Sequence, residues 1–317
     1  DKKILVMTLL ILAPNARPQI WAKEFKRLDP NLDVRIWPNV DHLEDITYAL
    51  VWNAPKGVLS TLPNLRIIFS MGAGVDHFFL DSSLPDNVTI CRVVDSLLTA
   101  AMREYVILHT LRYHRNLPEL EQQQKNHTWN ELADKQIHAK DQTIGLLGLG
   151  VLGKSCATLL AEMKFRVYGW SRSPKNIDGV SCFHGEEELK TVLQNSKILV
   201  CLLPLTKETK GILNACLFSE LPKGACLINA ARGQHLVEED LLNALDSGQL
   251  SYATLDVFNE EPLPVQHPFW EHPKITITPH NASITDPKSV SKQIHENIRR
   301  DVLNMPILNT VNSKLEY

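Results

Sequence analysis

Three segments late in the chain bring together residue types that can reduce a carbonyl. Asn229-Ala230-Ala231-Arg232-Gly233 offers a cation, Leu255-Asp256-Val257-Phe258 with Asn259-Glu260-Glu261 offers carboxylates, and Thr278-Pro279-His280 offers an imidazole. One cation to hold and polarise the acceptor, one imidazole to move a proton and one carboxylate to orient it make up such a set. Each has a plainer explanation alone. Arg-Gly can cap a helix, the acidic run can be a solvated loop, and Pro-His can be an ordinary turn. Each group follows a short apolar run that reads as a strand (residues 225–229, 253–257 and 274–278), and ligands of open parallel sheets bind beyond the carboxyl ends of the strands. Arg232, Asp256, Glu261 and His280 are therefore the candidates. His267 and His272 add a conceivable metal cluster with His280, but they lie in a Pro-rich stretch with no matching carboxylate spacing, and no metal is expected.

Upstream, Gly148-Leu149-Gly150-Val151-Leu152-Gly153 fits G-x-G-x-x-G. A lone glycine pattern is weak, but this one follows an apolar strand (143–147), opens a helical stretch (152–163) and is followed by a second strand (166–170). In that setting Gly148 permits the tight turn, Gly150 admits a pyrophosphate to the helix N-terminus, and Gly153 lets helix and strand pack closely. The second strand ends in Trp170-Ser171-Arg172-Ser173, with no acid to accept from a ribose 2′-OH. An Arg flanked by hydroxyls can instead pair with a 2′-phosphate, so NADP(H) is expected over NAD(H). Arg172 also fits a solvated surface residue, or one stacking on adenine in an NAD enzyme.

These residues need elements to hold them. The 317 residues suffice for roughly two domains at about 150 residues each. Short apolar runs at 3–8, 34–37, 48–52, 66–70 and 89–93, separated by turn or helical intervals, read as βα units of a parallel sheet. A long helical stretch at 99–124 follows, with Ala101, Tyr105, Leu108 and Leu111 at helical spacing and Pro118 expected to kink or divide it. The series from 143 onward is more regular, adding a strand at 198–203, and its helix should turn Leu152, Cys156, Leu159 and Met163 to one face. The tail at 287–304 reads as an amphipathic helix packing back on the first domain.

The composition of 44% hydrophobic and 22% charged residues is that of an ordinary soluble globular protein. A net charge of −3 with scattered signs argues against a nucleic-acid or membrane-surface partner. No apolar run approaches the roughly 18 to 20 residues that span a bilayer, and the apolar N-terminus lacks a small-residue cleavage site, so it reads as a strand rather than a signal peptide. Six cysteines without a C-x-x-C pair suggest free, mostly buried thiols and a cytoplasmic setting.

The motifs above, with Leu202-Leu203-Pro204-Leu205-Thr206 and Glu261-Pro262-Leu263-Pro264, resemble the D-isomer-specific 2-hydroxyacid dehydrogenase family over essentially the whole chain. Within it, Trp170-Ser171-Arg172-Ser173, Ser70-Met71-Gly72-Ala73-Gly74-Val75-Asp76-His77, Trp52-Asn53 and Tyr317 are most similar to the glyoxylate/hydroxypyruvate reductase A group. Asn281-Ala282-Ser283 departs mildly from the group's pattern. The resemblance implies an α/β fold of two doubly wound parallel-sheet domains, with a Rossmann cofactor domain (99–285) inserted in a flavodoxin-like substrate domain (1–98 plus 286–317). Segments 96–102 and 283–288 would be hinges.

The resemblance also implies roles. His280 would donate a proton to the developing alkoxide of a small 2-keto acid. Glu261 would hydrogen-bond His280, favouring its protonated form and fixing its ring, and Arg232 would orient the substrate carboxylate. Asp256 would hold the nicotinamide carboxamide. Cofactor contacts are expected at Gly148, Gly150, Val151, Leu152, Gly153, Ser171, Arg172, Ser173, Leu203, Pro204, Ala230 and Ala231, and substrate contacts at Ala73, Gly74 and Val75 through backbone N–H groups. Trp52 would wall the pocket or simply pack in the core, and Trp129 and Tyr317 would close the site, from a partner subunit of a homodimer. The alternatives are a reductase of a bulkier 2-keto acid using NAD(H), and a dinucleotide-sensing interaction module like the corepressors that share this fold.

Overall fold

The structure, a computed structural model, describes residues 7–14 and 16–313. It divides into two compact units, residues 1–98 with 285–317, and residues 99–284.

The first unit is built on β1 (Thr8–Leu12), β2 (Asp33–Ile36), β3 (Ile46–Val51), β4 (Ile67–Ser70) and β5 (Thr89–Cys91), all parallel in the order β2-β1-β3-β4-β5. This is the flavodoxin-like order. All five residues of β1 are buried, as an inner parallel strand covered on both faces requires. Of the expected strand at 3–8, residues 3–6 lie outside the described residues; β1 shares Thr8 with it and runs on through the fully buried Leu9-Leu10-Ile11-Leu12. Helix α1 (Pro18–Leu28) opens with Pro18, buries Trp21 and Phe25, and carries Lys26 and Arg27 in its last turn, where the helix dipole favours cations. It packs on the C-terminal helix α8 (Pro287–Val302). That helix is capped by Asp286, whose carboxylate accepts from the N–H groups of Lys288 and Ser289, and it buries Val290, Ile294 and Ile298.

The second unit begins with α2 (Ser96–His114), whose first turn crosses the unit boundary, and α3 (Leu117–Lys125). The long helical stretch is divided at residues 115–116, with Asn116 left-handed (φ 55°) and Pro118 in the first turn of α3, as the proline suggested. Of the residues at helical spacing on α2, Tyr105 enters the core with Met102, Val106 and Tyr113, Leu111 packs against it, and Leu108 is 61% exposed.

Then come β6 (Thr143–Leu147), α4 (Val151–Glu162), β7 (Arg166–Ser171), β8 (Val180–His184), α5 (Gly185–Asn195), β9 (Ile198–Cys201), α6 (Ala215–Glu220), β10 (Ala225–Asn229), α7 (Glu238–Asp246), β11 (Leu250–Leu255) and β12 (Ile275–Ile277). The seven strands are parallel in the order β12-β11-β10-β9-β6-β7-β8. The chain builds outward from β6 to β8 and returns to β9 on the other side of β6, so the strand order reverses between β6 and β9. A crevice for a dinucleotide opens at such a point.

Helix α4 corrects an expectation. Gly153, Cys156, Ala157 and Leu160 are buried, while Leu152, Leu159 and Met163 are only partly so. A Cβ on Gly153 would stand 1.8 Å from the carbonyl oxygen of Gly148, so the helix presents its small residues to the turn and carries the larger ones on its flank. All six cysteines are free, and burial pushes the thiols of Cys91, Cys156, Cys201 and Cys226 up to about 12. Among the described residues, no helix is long and apolar enough to cross a membrane.

Candidate active site

The glycine turn lies where β6 ends. Gly148 has φ 100°, and a Cβ there would meet the Leu202 carbonyl oxygen at 2.6 Å, so conformation and contact both demand glycine. The turns after β6 and β9 touch at this point. Gly150 precedes the first residue of α4 and nothing lies within 4 Å of where its Cβ would be. The open face of Gly150 and the free first turn of α4, with Val151 and Leu152, form a cradle that suits a pyrophosphate. At the end of β7 the Ser171 hydroxyl donates to the Ser173 carbonyl (2.8 Å). Ser171 is buried, so it shapes the turn, while Arg172 and Ser173 are exposed beyond it. Leu203 is buried in the core and Pro204 is exposed; Ala230 and Ala231 are buried beneath the loop after β10. A ligand could reach Leu203 only through its backbone.

The ionisable groups are set by the last three strands. Asn229, buried at the end of β10, accepts from the Ala231 N–H (3.2 Å) and donates to the Arg232 carbonyl (3.1 Å), which shapes the turn that launches the half-buried Arg232. Gly233 packs flat on the next loop: a Cβ there would sit 1.9 Å from the carbonyl carbon of Phe258. That loop carries Glu261, whose Oε1 accepts from the Phe258 N–H (2.9 Å) and whose Oε2 lies 2.7 Å from His280 Nδ1. With Nδ1–H donating to the carboxylate, Nε2 is the ring atom available to a substrate. Both side chains keep 35% of their surface exposed. Burial pushes the Glu261 carboxyl up, but the hydrogen bonds from His280 and Phe258 and the nearby charges of His280 and Arg232 outweigh it, leaving it below its ordinary value.

His280 itself is left-handed, with φ 51°. Non-glycine residues adopt this region at a cost of roughly 1–2 kcal/mol, so the surroundings must impose it. Asp256 does so, a structural role beside the one expected of it. Its carboxylate is 1% exposed and accepts from Thr278 Oγ1 (2.6 Å), Asn281 N–H (2.9 Å) and Ala282 N–H (3.0 Å), while its backbone carbonyl accepts from His280 N–H (2.8 Å). It fastens the turn that carries His280, with two of these bonds on Oδ1 and one on Oδ2. Burial raises its pKa against these three bonds. Since Thr278 gives its only proton to Asp256, the Tyr105 hydroxyl, 2.7 Å from Thr278 Oγ1, must donate to it. Asn229 and Thr278 stand within the sequence motifs but are given no role there, and Tyr105 is read only as part of a helical spacing; a polar residue closing an apolar strand is the sign for the first two, and α2 gives none for Tyr105.

His267 pairs with Glu238 and His272 with Asp246, separately from the His280–Glu261 pair. Among the described residues no group of three or more His, Cys, Asp or Glu could hold a metal ion.

In the first unit, the loop after β4 is braced by Ser70, whose hydroxyl donates to the Gly74 carbonyl (2.8 Å) and accepts from Gly72 N–H (3.2 Å). Among the described residues no oxygen accepts from the N–H groups of Ala73, Gly74 and Val75. The half-buried Trp52 lies over this loop, 3.0 Å from where a Gly72 Cβ would be, with its ring edge-on to His77. It packs on the loop rather than in the core. Trp129 is 92% exposed, and Tyr317 lies outside the described residues.

Residues 107–282 match the model of the D-isomer specific 2-hydroxyacid dehydrogenase, NAD binding domain. The chain belongs to the D-isomer-specific 2-hydroxyacid dehydrogenase family. Its sequence is 44% identical over 300 residues to glyoxylate/hydroxypyruvate reductase A of Yersinia enterocolitica, covering 92% of this chain and 94% of that protein. It is 45% identical over 299 residues to the reductase of the same name from Serratia proteamaculans, with the same coverage. Among solved structures, the family member from Xanthobacter autotrophicus Py2, in complex with NADPH and MES, superposes with a TM-score of 0.93 at 40% identity, covering 98% of this chain and all of that one. The NADPH-dependent glyoxylate/hydroxypyruvate reductase of Sinorhizobium meliloti, in complex with NADP and sulfate, gives 0.91 at 36% identity with the same coverage.

Proposed function

We propose that this 2-hydroxyacid dehydrogenase reduces glyoxylate to glycolate and hydroxypyruvate to glycerate with NADPH. The observation that carries the proposal is the His280–Glu261 pair, held at 2.7 Å on a left-handed turn that Asp256 fastens, in a chain that ends β7 with Arg172 instead of an acid. NADPH, when bound along Gly148, Gly150 and Gly153, supplies the hydride for the keto carbon. His280 Nε2 donates a proton to the oxygen as charge develops on it, and Glu261 holds the ring so that Nε2 is presented. Arg232 pairs with the substrate carboxylate and polarises the keto oxygen, a positioning and electrostatic role. Arg172 and Ser173 hold the 2′-phosphate. The unsatisfied N–H groups of Ala73, Gly74 and Val75 suit a carboxylate without any side-chain charge, with Trp52 keeping their loop in place.

Two further points belong to the proposal. The protein acts as a homodimer in the cytoplasm: exposed Leu108 and Leu117 border an apolar groove of about 520 Å³ that also includes Leu111 and Leu120, and Trp129 is exposed in the same unit. The partners are small 2-keto acids rather than nucleic acid or membrane. Measuring NADPH oxidation with glyoxylate tests the activity, and His280→Ala tests the acid: full turnover in that variant contradicts the assignment. Failure of the wild-type enzyme on small acids together with turnover of phenylpyruvate would favour the bulkier-substrate alternative.

A further inference from the structure

His235 follows Arg232 by three residues and is fully buried. Its ring spans two loops: Nδ1 lies 3.2 Å from the Arg232 carbonyl oxygen, and Nε2 lies 3.2 Å from the Pro204 carbonyl oxygen. A neutral imidazole carries one N–H and donates to only one of these carbonyls. The Arg232 carbonyl already accepts from Asn229 Nδ2 (3.1 Å) and from the His235 backbone N–H (3.3 Å), whereas the Pro204 carbonyl accepts from Thr209 Oγ1 (2.7 Å) and keeps a lone pair for the ring, so the ring proton belongs on Nε2, facing Pro204. Backbone bonds carry the same connection onward. Gly211 N–H donates to Gln234, Leu213 N–H to His235 and Val237 N–H to Leu213, at 2.8–3.0 Å. The ring extends this seam to the Pro204 turn.

We propose that His235 is a positioning residue that locks the Arg232 backbone and the Leu203-Pro204 turn into one unit, so that the substrate cation and the cofactor-facing turn keep a common register. This rests on the roles proposed above for Arg232 and Pro204. Displacements of about 1 Å at a reacting site can cost roughly 100-fold in rate, so a strut between the two loops carries weight although it touches neither ligand.

The ring bond can be tested on its own. The amide of His235→Gln falls where Nε2 stood, facing Pro204, whereas that of His235→Asn falls where Nδ1 stood and does not reach Pro204. The test compares both with His235→Ala and wild type for folding by circular dichroism, KM for glyoxylate, and NADPH dissociation constant by fluorescence without keto acid. Losing a bond to a buried carbonyl is worth about tenfold, so His235→Ala and His235→Asn should raise both constants about that much, and His235→Gln should recover both. The inference is overturned if His235→Asn matches wild type, if His235→Gln does no better than His235→Ala, or if none of the three variants folds, since the ring would then be ordinary core. A wild-type enzyme inert toward keto acids would defeat the proposed function instead, and the NADPH arm would still decide whether the ring holds the Pro204 turn.

Discussion

At the scale of single residues, the account assigns the proton to His280 and its orientation to Glu261. His280→Ala should lower kcat by roughly 100- to 10,000-fold, the usual yield of a general acid, and leave the NADPH dissociation constant unchanged. Arg172→Ala should raise the KM for NADPH about tenfold or more, the effect of losing a charged hydrogen bond, with little change for NADH; equal losses with both cofactors would remove the 2′-phosphate contact. Glu261 also bears on acid stability. Its folded pKa lies below the ordinary 4.5, so it contributes stability at neutral pH that is lost only as pH falls through that lowered value. The gap in melting temperature between wild type and Glu261→Gln should therefore hold from pH 7 to about 5 and close in more acidic buffer. Arg232, Glu261 and His280 were legible in the sequence because each follows a strand end. The anchoring role of Asp256 was not, because the direction of a strand-end carboxylate depends on which backbone N–H groups the following turn presents, and no spacing encodes that.

At the scale of elements, the site depends on close loop contacts. Gly233→Ala would drive a Cβ into the Phe258 backbone, which cannot yield as a flexible side chain can. The variant should lose about 1–3 kcal/mol of stability, typical of overpacking, and should lose activity by parting the Arg232 loop from the Glu261 loop; a melting curve and a rate assay on one preparation check both. Apart from β1, the central strands of each sheet were read from sequence to within a few residues, since a continuous apolar run has no other place in a protein of this size. The helices were read less well. On α2 the apolar residues go all round, so spacing alone does not say which are buried: the core takes Met102, Tyr105 and Val106 and leaves Leu108 exposed. On α4 the contact of Gly153 with the glycine turn decides which face is buried, and side-chain hydropathy does not register it. The segment 180–195, which forms β8 and α5, was not assigned because its short strand lies at the sheet edge and is only partly buried.

At the scale of the whole molecule, the chain forms two parallel-sheet units, one of them built from both ends of the sequence. A net charge of −3 is compatible with the proposed handling of the cofactor's phosphates by Arg172 and the glycine turn, since each such charge is met locally. The homodimer reading predicts a mass near twice 35.8 kDa by light scattering and its reduction by Leu108→Asp; a wild-type monomer at assay concentration would contradict it. The account as a whole rests on what the enzyme reduces and with what. Initial rates of the wild-type protein should be taken with glyoxylate, hydroxypyruvate, pyruvate and phenylpyruvate, each with NADPH and with NADH. We expect the highest kcat/KM for glyoxylate and hydroxypyruvate with NADPH, whereas equal or better rates with NADH, or no reduction of either small acid, would contradict it.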